Sequence, residues 1–167
     1  MRKPLISRIF GRLLHLLARV SPGATTVRPF LHRLRGVRIG KNVFIGDEVY
    51  LENEYPECVE IQDGARISVR ATILAHTLGP GNVIIEKDVA IGPHAVIATS
   101  GGRVLRIGEG AVVGIGCVIT RDVSPRTFVT GEFGKAVAEV RLPLTKAGRI
   151  QDFTVGLVPF RKRPRKD

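Results

Sequence analysis

Tryptophan is absent from this 167-residue chain, and aromatic residues make up only 5% of it. The interior must therefore be filled mainly by aliphatic side chains, not by large rings. Only two cysteines occur, Cys58 and Cys117, and neither has a histidine or a second cysteine at metal-ligand spacing. Two cysteines do not form a disulfide framework. We expect a protein of a reducing compartment, the cytoplasm.

Acidic residues are also scarce near the N-terminus. Residues 1–46 contain ten lysines and arginines and no aspartate or glutamate, whereas residues 47–63 contain seven acidic residues and no base. The whole chain has 26 basic and 15 acidic residues, a formal net charge of +11. A charge of this size indicates an anionic partner. Nucleic acid is not among the partners we predict.

What the chain does contain is a six-residue repeat of large aliphatic side chains. It occurs in four groups of three positions, which begin at Ile39, Ile61, Ile85 and Ile107, and a small residue usually follows four positions later. This hexapeptide repeat predicts an all-β solenoid. The expected form is a triangular parallel β-helix of about four coils, with Gly, Asn or Asp at its corners.

The repeat also divides the chain. Its register breaks only after every third hexad, so the insertions at 57–60, 79–84 and 103–106 should leave the tube from one corner and form one wall. The predicted parts are an N-terminal basic helical segment at 1–36, the β-helix at 37–124, and an irregular C-terminal extension with a basic tail at 125–167.

Apolar residues recur at helical spacing over residues 5–20, and Ser21-Pro22-Gly23 ends the predicted helix. Arginines interrupt this stretch too often for it to cross a bilayer, and no signal-peptide cleavage site follows. Two interpretations stay open. The helix covers the exposed edge of the first coil, which we favour, or it makes a peripheral contact with an anionic membrane surface.

Two of the four histidines lie in the predicted coils, and one of them suits catalysis. His76 immediately precedes the longest insertion, and Glu54 and Ser100 hold the same position one coil earlier and later. Coils stack about 4.8 Å apart, so these residues should form an outward column. A carboxylate beside an imidazole fixes its tautomer and favours its action as a general base. Asn53 is the alternative that orients the imidazole or an acceptor, and His94 is expected at an exposed turn.

Four stretches between residues 59 and 140 carry a resemblance. They read ISVRATILAHT, VIIEKDVAIGPHAVI, IGEGAVVGIGCVITRDVSPRTFVTG and GKAV. They resemble the hexapeptide-repeat acyltransferases, the left-handed β-helix family that includes sugar and polysaccharide O-acetyltransferases. The resemblance implies a left-handed helix, a homotrimer with acetyl-CoA bound between neighbouring tubes, and His76 as the base that deprotonates the acceptor.

The resemblance also implies where the acetyl-CoA lies. VGIGCVITRDV is similar to the family's groove for pantetheine and phosphates, with some contacts made through backbone groups, and GKAV retains a basic residue while Ala138 replaces a later arginine. The implied cofactor-binding residues are Gly114, Ile115, Gly116, Thr120, Arg121 and Lys135.

We therefore predict an acyl-CoA-dependent acetyltransferase that needs no metal. It would move an acetyl group from acetyl-CoA to a hydroxyl or amine of a sugar or polysaccharide precursor. Two alternatives stay open. One is a non-catalytic scaffold or partner of a larger biosynthetic assembly. The other, less favoured, is a metalloenzyme like the carbonic anhydrase of this fold, whose zinc needs three converging histidines. The acceptor itself has no transferable motif.

Overall fold

The computed structural model describes residues 5–131 and 138–159, with side chains from residue 9 onward. The chain divides into two compact units, with the boundary between Gly131 and Glu132. In the first unit, helices α1 (Leu5–Val20) and α2 (Val27–Leu34) precede a series of short strands. The strands are β1 (Arg38–Ile39), β2 (Phe44–Ile45), β3 (Tyr50–Leu51), β4 (Val59–Ile61), β5 (Arg66–Ile67), β6 (Thr72–Leu74), β7 (Asn82–Ile85), β8 (Ala90–Ile91), β9 (Val96–Ala98), β10 (Val104–Ile107), β11 (Val112–Val113), β12 (Val118–Ile119) and β13 (Phe128–Val129).

These strands stack into three parallel sheets, one for each side of a triangle. The first sheet has the order β1-β4-β7-β10, the second β2-β5-β8-β11-β13, and the third β3-β6-β9-β12. Consecutive strands thus belong to different sheets, and repeat positions of successive coils face one another, as Ile45 pairs with Ile67 and Ile67 with Ile91. The predicted parallel β-helix of about four coils is confirmed.

Aliphatic ladders fill the tube. The predicted large positions from Ile45 to Ile119 are at most 7% exposed, and Cys117 occupies a small inward position at 3%. The coils approach closely enough at Gly92 that an added Cβ would lie 2.8 Å from the backbone of the next coil. Thr77 and Gly101, which the repeat also predicts as inward, are exposed because the chain has left the coil there.

The insertions become part of the first sheet. Strands β4, β7 and β10 begin within or next to them, and Val59 pairs with Val83, which pairs in turn with Leu105. The predicted wall is therefore built mainly of strands longer than the two-residue strands of the second sheet. The loop that joins β6 to β7 occupies the same corner.

Helices α1 and α2 cover the start of the tube. The buried guanidinium of Arg28 donates to the carbonyls of Ser21 at 2.6 Å and Ile45 at 3.0 Å, and the amide of Glu48 donates to the Arg19 carbonyl at 2.9 Å. These bonds satisfy polar groups that an uncovered first coil would expose. Within the described part of the chain, neither helix nor any other combines the length and apolar character needed to cross a membrane.

The second unit is small. Strands β14 (Ala138–Val140) and β15 (Leu157–Pro159) pair antiparallel, and between them lie a 3₁₀ turn (Leu144–Lys146) and helix α3 (Ile150–Val155). None of the residues of α3 is buried.

Candidate active site

His76 lies where the third sheet ends. Strand β6 stops at Leu74, which pairs with Ala98, and the chain then leaves the coil until β7 begins at Asn82. The imidazole is 33% exposed, so one side of it meets protein and the other meets solvent. This places His76 at the corner from which the insertions leave.

The carboxylate that meets His76 belongs to Glu52. Its Oε2 lies 2.6 Å from Nδ1 of the imidazole, and the Glu52 side chain is 0% exposed. Sequence reasoning placed Glu54 in this position, by extending the repeat past Leu51. The correction has a local cause: β3 ends at Leu51, and the side chain of the next residue turns into the corner instead of following the outward alternation of a strand.

Hydrogen bonds keep Glu52 ionised despite its burial. Its Oε1 accepts from the amides of Glu54 at 2.9 Å and Tyr55 at 3.2 Å, and its Oε2 also accepts from the amide of Ala75 at 2.8 Å. Burial alone would raise the pKa of this carboxyl. The bonds from His76 and from the backbone outweigh burial, so the pKa of Glu52 lies below its usual value.

The bond to Glu52 decides the tautomer of His76. An ionised carboxylate only accepts hydrogen bonds, so Nδ1 of the imidazole must be the donor. In the neutral imidazole Nε2 then carries the lone pair. His76 is therefore prepared to accept a proton at Nε2, and the resulting imidazolium would lie against a negative charge.

Sequence reasoning missed a buried group behind Glu52, formed by Arg35, His15 and His32. Arg35 Nη2 donates to the carbonyl of Glu52 at 2.5 Å, and its Nη1 lies 2.7 Å from Nδ1 of His15 and 2.8 Å from Nδ1 of His32. The group joins α1 and the end of α2 to the strand segment that carries Glu52. The three-residue spacing of His32 and Arg35 in the sequence was the available signal.

Both buried histidines are neutral. Burial and then the charge of Arg35 lower the pKa of His15 to about 4 and that of His32 to about 3. Their Nδ1 atoms can then accept from Arg35. Burial also lowers the pKa of Arg35 to about 10, so the guanidinium remains charged at neutral pH.

The other residues predicted near His76 have different contacts. Glu54 Oε1 lies 2.7 Å from Nη2 of Arg12, and Asn53 Oδ1 lies 3.5 Å from Nη2 of Arg35. Beyond β6, the amide and hydroxyl of Thr77 both donate to the Thr99 carbonyl at 3.2 Å. This bonding places Thr77 next to Thr99, the residue before Ser100.

The predicted cofactor residues Gly114, Ile115 and Gly116 lie in the last coil. The amides of Gly114 and Gly116 already donate to the carbonyls of Val129 at 2.7 Å and Pro93 at 2.9 Å. A ligand could therefore not use these two N–H groups without breaking bonds between coils. The side chain of Ile115 is 74% exposed and available for apolar contact.

Thr120 and Arg121 line an open cleft of about 360 Å³ that follows β12. Strands β6, β9 and β12 are successive members of the third sheet, so this cleft and His76 lie at the same corner of the triangle. Two coils separate them, about 10 Å along the tube. The remaining predicted cofactor residue, Lys135, lies outside the described residues.

His94 occupies a different corner. Its backbone is left-handed, with φ of 56°, its amide donates to the Val69 carbonyl at 3.1 Å, and its side chain is exposed. Among residues 5–131 and 138–159, no group of three His, Cys, Asp or Glu side chains is placed to hold a metal ion.

The chain is similar in sequence to curated proteins and similar in fold to solved structures. No family model matches the chain. A 2,3,4,5-tetrahydropyridine-2,6-dicarboxylate N-acetyltransferase of Staphylococcus aureus (strain bovine RF122 / ET3-1) is 38% identical over 80 residues, which cover 46% of this chain and 32% of the relative. The chain thus spans about a third of the length of this curated relative.

Among solved structures, a hexapeptide-repeat-containing acetyltransferase from Vibrio cholerae O1 biovar eltor, complexed with acetyl-CoA, matches with a TM-score of 0.60 and 25% identity. The match covers 75% of this chain and 82% of that one. The resemblance to the hexapeptide-repeat acetyltransferases is confirmed. A maltose O-acetyltransferase from Clostridium difficile 630 shares the fold, with a TM-score of 0.57, 18% identity and coverage of 76% and 82%.

Proposed function

We propose that this protein is an acetyl-CoA-dependent acetyltransferase that acts on a hydroxyl or amine of a small-molecule or glycan acceptor. The observation that carries the proposal is the pair formed by buried Glu52 and half-exposed His76, whose geometry leaves Nε2 as the proton acceptor. Similarity to named acetyltransferases, one of them complexed with acetyl-CoA, supports the donor.

In the proposed reaction, Nε2 of His76 takes the proton of the acceptor hydroxyl or amine as its oxygen or nitrogen attacks the thioester carbonyl carbon. The carbon–sulfur bond then breaks, the acetyl group stays on the acceptor, and the imidazolium returns its proton to the thiolate of CoA. The carboxylate of Glu52 stabilises the imidazolium between these steps. His76 is thus both the base and the acid, and the protein returns to its initial protonation state.

We infer that CoA binds along the corner that joins His76 to the cleft of Thr120 and Arg121. Arg121 is exposed and suits a phosphate, and Lys135 belongs to the same proposed set. Gly114, Ile115 and Gly116 lie between β11 and β12, at the corner of His94, where exposed Ile115 offers apolar surface and the two glycines leave room for a ligand held between neighbouring tubes. We also propose a homotrimer, in which a neighbouring protomer forms the second wall of the CoA groove. It is supported by exposed aliphatic and aromatic side chains on the outer faces of the last coils, namely Val104, Val112, Ile115, Val118 and Phe128.

The finer proposal for the acceptor is a sugar or polysaccharide precursor in the cytoplasm. It is supported by the four stretches that resemble sugar and polysaccharide O-acetyltransferases. The small number of cysteines supports the location. Among the predicted catalytic residues, Asn53 and Glu54 would act on the segment around Glu52, not on the reacting atoms.

The test is an acetyl-transfer assay with a panel of sugar and amine acceptors, in which the products are identified by mass. His76→Asn should lower turnover by about 10²- to 10⁴-fold, the usual contribution of a positioned base. His94→Asn is the control and should retain full activity, because Asn tolerates the left-handed turn. Normal turnover in His76→Asn would refute the base. A parent protein that binds acetyl-CoA but acetylates no acceptor would favour the scaffold alternative.

A further inference from the structure

Helix α1 has two apolar faces, and the tube uses only one of them. Leu14 and Ala18 are 7% and 1% exposed and form the buried face of the helix, which contacts α2. Six other apolar side chains are more than half exposed, namely Ile9, Phe10, Leu13, Leu16, Leu17 and Val20, which we call the outer face of α1. At 100° per residue these six lie within an arc of about 120°. A continuous apolar surface of this kind requires an occupant.

The charge beside the outer face identifies that occupant. Arg12 and Arg19 lie seven residues apart and so lie together along one edge of the arc. Residues 1–46 carry ten basic residues and no acidic one, and Arg12 stays 61% exposed although it bonds to Glu54 from a later part of the chain. A second copy of the same face would bring these arginines towards one another, which opposes a symmetric dimer. An anionic surface would be attracted by them.

We propose that the outer face of α1 lies in the plane of an anionic lipid bilayer, with its apolar side chains among the acyl chains and its arginines at the headgroups. A large apolar arc flanked by arginines is the pattern of an interfacial helix. Helix α2 also has exposed apolar side chains, Val27, Phe30 and Leu34, spaced three and four residues apart. The outer face of α1 is separate from its buried face, which covers the first coil. One helix can therefore cover the tube and contact the bilayer at the same time.

The contact also constrains the acceptor, a step that rests on the proposed function. Arg12 of α1 bonds to Glu54, and the ring of His15 lies 4.8 Å from that of Tyr50, two residues before Glu52. Helix α1 therefore adjoins the strand segment that carries the partner of His76. On a bilayer, the corner that holds His76 lies near the interface. The acceptor class that this placement favours is a hydroxyl of a lipid-linked glycan.

The experiment is co-sedimentation of the full chain with vesicles of phosphatidylcholine alone and of phosphatidylcholine mixed with phosphatidylglycerol. The parent should bind the anionic vesicles and much less the neutral ones, and added salt should weaken binding. The double variant Leu13→Ser, Leu16→Ser, which we call the outer-face variant, should have a partition coefficient for anionic vesicles that is lower by about tenfold or more. Its melting temperature should change little, because both side chains are more than half exposed.

The matched control is the double variant Leu144→Ser, Ile150→Ser. These side chains are 55% and 60% exposed, against 54% and 56% for Leu13 and Leu16, but they lie outside α1. Equal binding by parent and outer-face variant, or no preference for anionic vesicles, would overturn the proposal. Concentration-dependent self-association that the outer-face variant abolishes would assign the face to a second copy instead.

An activity readout separates this proposal from the proposed function. Transfer to a water-soluble acceptor should be the same in the parent and the outer-face variant, whereas transfer to a vesicle-embedded glycolipid should fall only in the variant. Vesicle binding by a protein with no transferase activity would leave the membrane contact standing and refute the enzyme. A third outcome is a protein that binds vesicles and acetylates soluble acceptors but does not acetylate the glycolipid. That result would refute the inferred acceptor class.

Discussion

At the scale of single residues, the unusual feature is a buried carboxylate with every accepting position filled. Glu52 accepts three backbone N–H groups and one imidazole N–H. A carboxylate is the side chain that can accept four such bonds at once. Its burial therefore costs little once the bonds form, and its charge is held where an imidazolium would arise.

Replacing Glu52 by glutamine tests this arrangement. The new NH₂ group must face N–H donors, which leaves buried donors unpaired and costs roughly 1–3 kcal/mol of stability. The orientation that leaves fewer backbone donors unpaired puts the NH₂ group at the Oε2 position, towards Ala75 and His76. Nδ1 of His76 then becomes an acceptor and Nε2 carries the hydrogen, so turnover should fall by about 10²-fold or more. The readouts are turnover and its pH profile, together with the imidazole tautomer observed by nitrogen NMR.

Glu54→Gln is the matched control. Glu54 pairs with Arg12 at the surface, where side-chain exposures are 33% and 61%. Such a pair contributes about 0–1 kcal/mol, and the imidazole keeps its partner. Turnover should stay close to that of the parent. Equal losses in the two variants would show that Glu54, as the sequence predicted, also determines the state of His76.

At the scale of elements, α1 and α2 are joined to the first coil by neutral histidines around a charged arginine. The pKa values of His15 and His32, about 4 and about 3, both lie below the 6.5 of an unfolded histidine. Between pH 6.5 and 4 the unfolded chain therefore binds more protons than the folded one. Stability contributed by keeping these rings neutral is complete above pH 6.5 and is lost as the pH falls through this window.

The corresponding measurement is the free energy of unfolding as a function of pH. It should fall steeply from pH 6.5 to 4.5, with a slope that reflects the uptake of about two protons by these residues. His32→Asn keeps an oxygen that can accept from Arg35 but removes one titrating ring. This change should reduce the slope by about 1.4 kcal/mol per pH unit. The exposed turn variant His94→Asn should not reduce it, and an unchanged slope in His32→Asn would contradict the assignment.

At the scale of the whole molecule, coil stacking relates the base to the proposed phosphate site. His76 follows β6 and Arg121 follows β12, with one strand of the third sheet between them. A long ligand such as acetyl-CoA can lie along such a corner, with its thioester at one coil and its phosphates at another. The proposed roles of His76 and Arg121 should therefore separate in kinetics.

Charge reversal by Arg121→Glu should raise the KM for acetyl-CoA with little change in turnover, because a remote phosphate contact binds ground state and transition state alike. A short pantetheine thioester without those phosphates should be used equally well by variant and parent. The control is Arg66→Glu, since Arg66 lies on the second sheet over the ring of Phe44. Equal losses with both donors would refute the phosphate assignment.

The sequence by itself determined the tube. A period of six residues alternates inward and outward side chains on short strands, and this local rule needs no knowledge of distant contacts. It placed the repeat positions from Ile45 to Ile119 in the core, and it placed His76 at the corner where the chain leaves the coil. The four stretches that resemble known acetyltransferases pointed to the same family that the comparisons support.

Only the tertiary structure decided which carboxylate meets His76. The repeat predicts side-chain direction only where strands continue, and β3 and β6 stop at Leu51 and Leu74. Beyond those ends, the direction of Glu52 is set by bonds to Ala75 and His76 from the next coil, more than twenty residues away. The buried group of His15, His32 and Arg35 was decided in the same way, because it forms only when two helices and a strand end pack together.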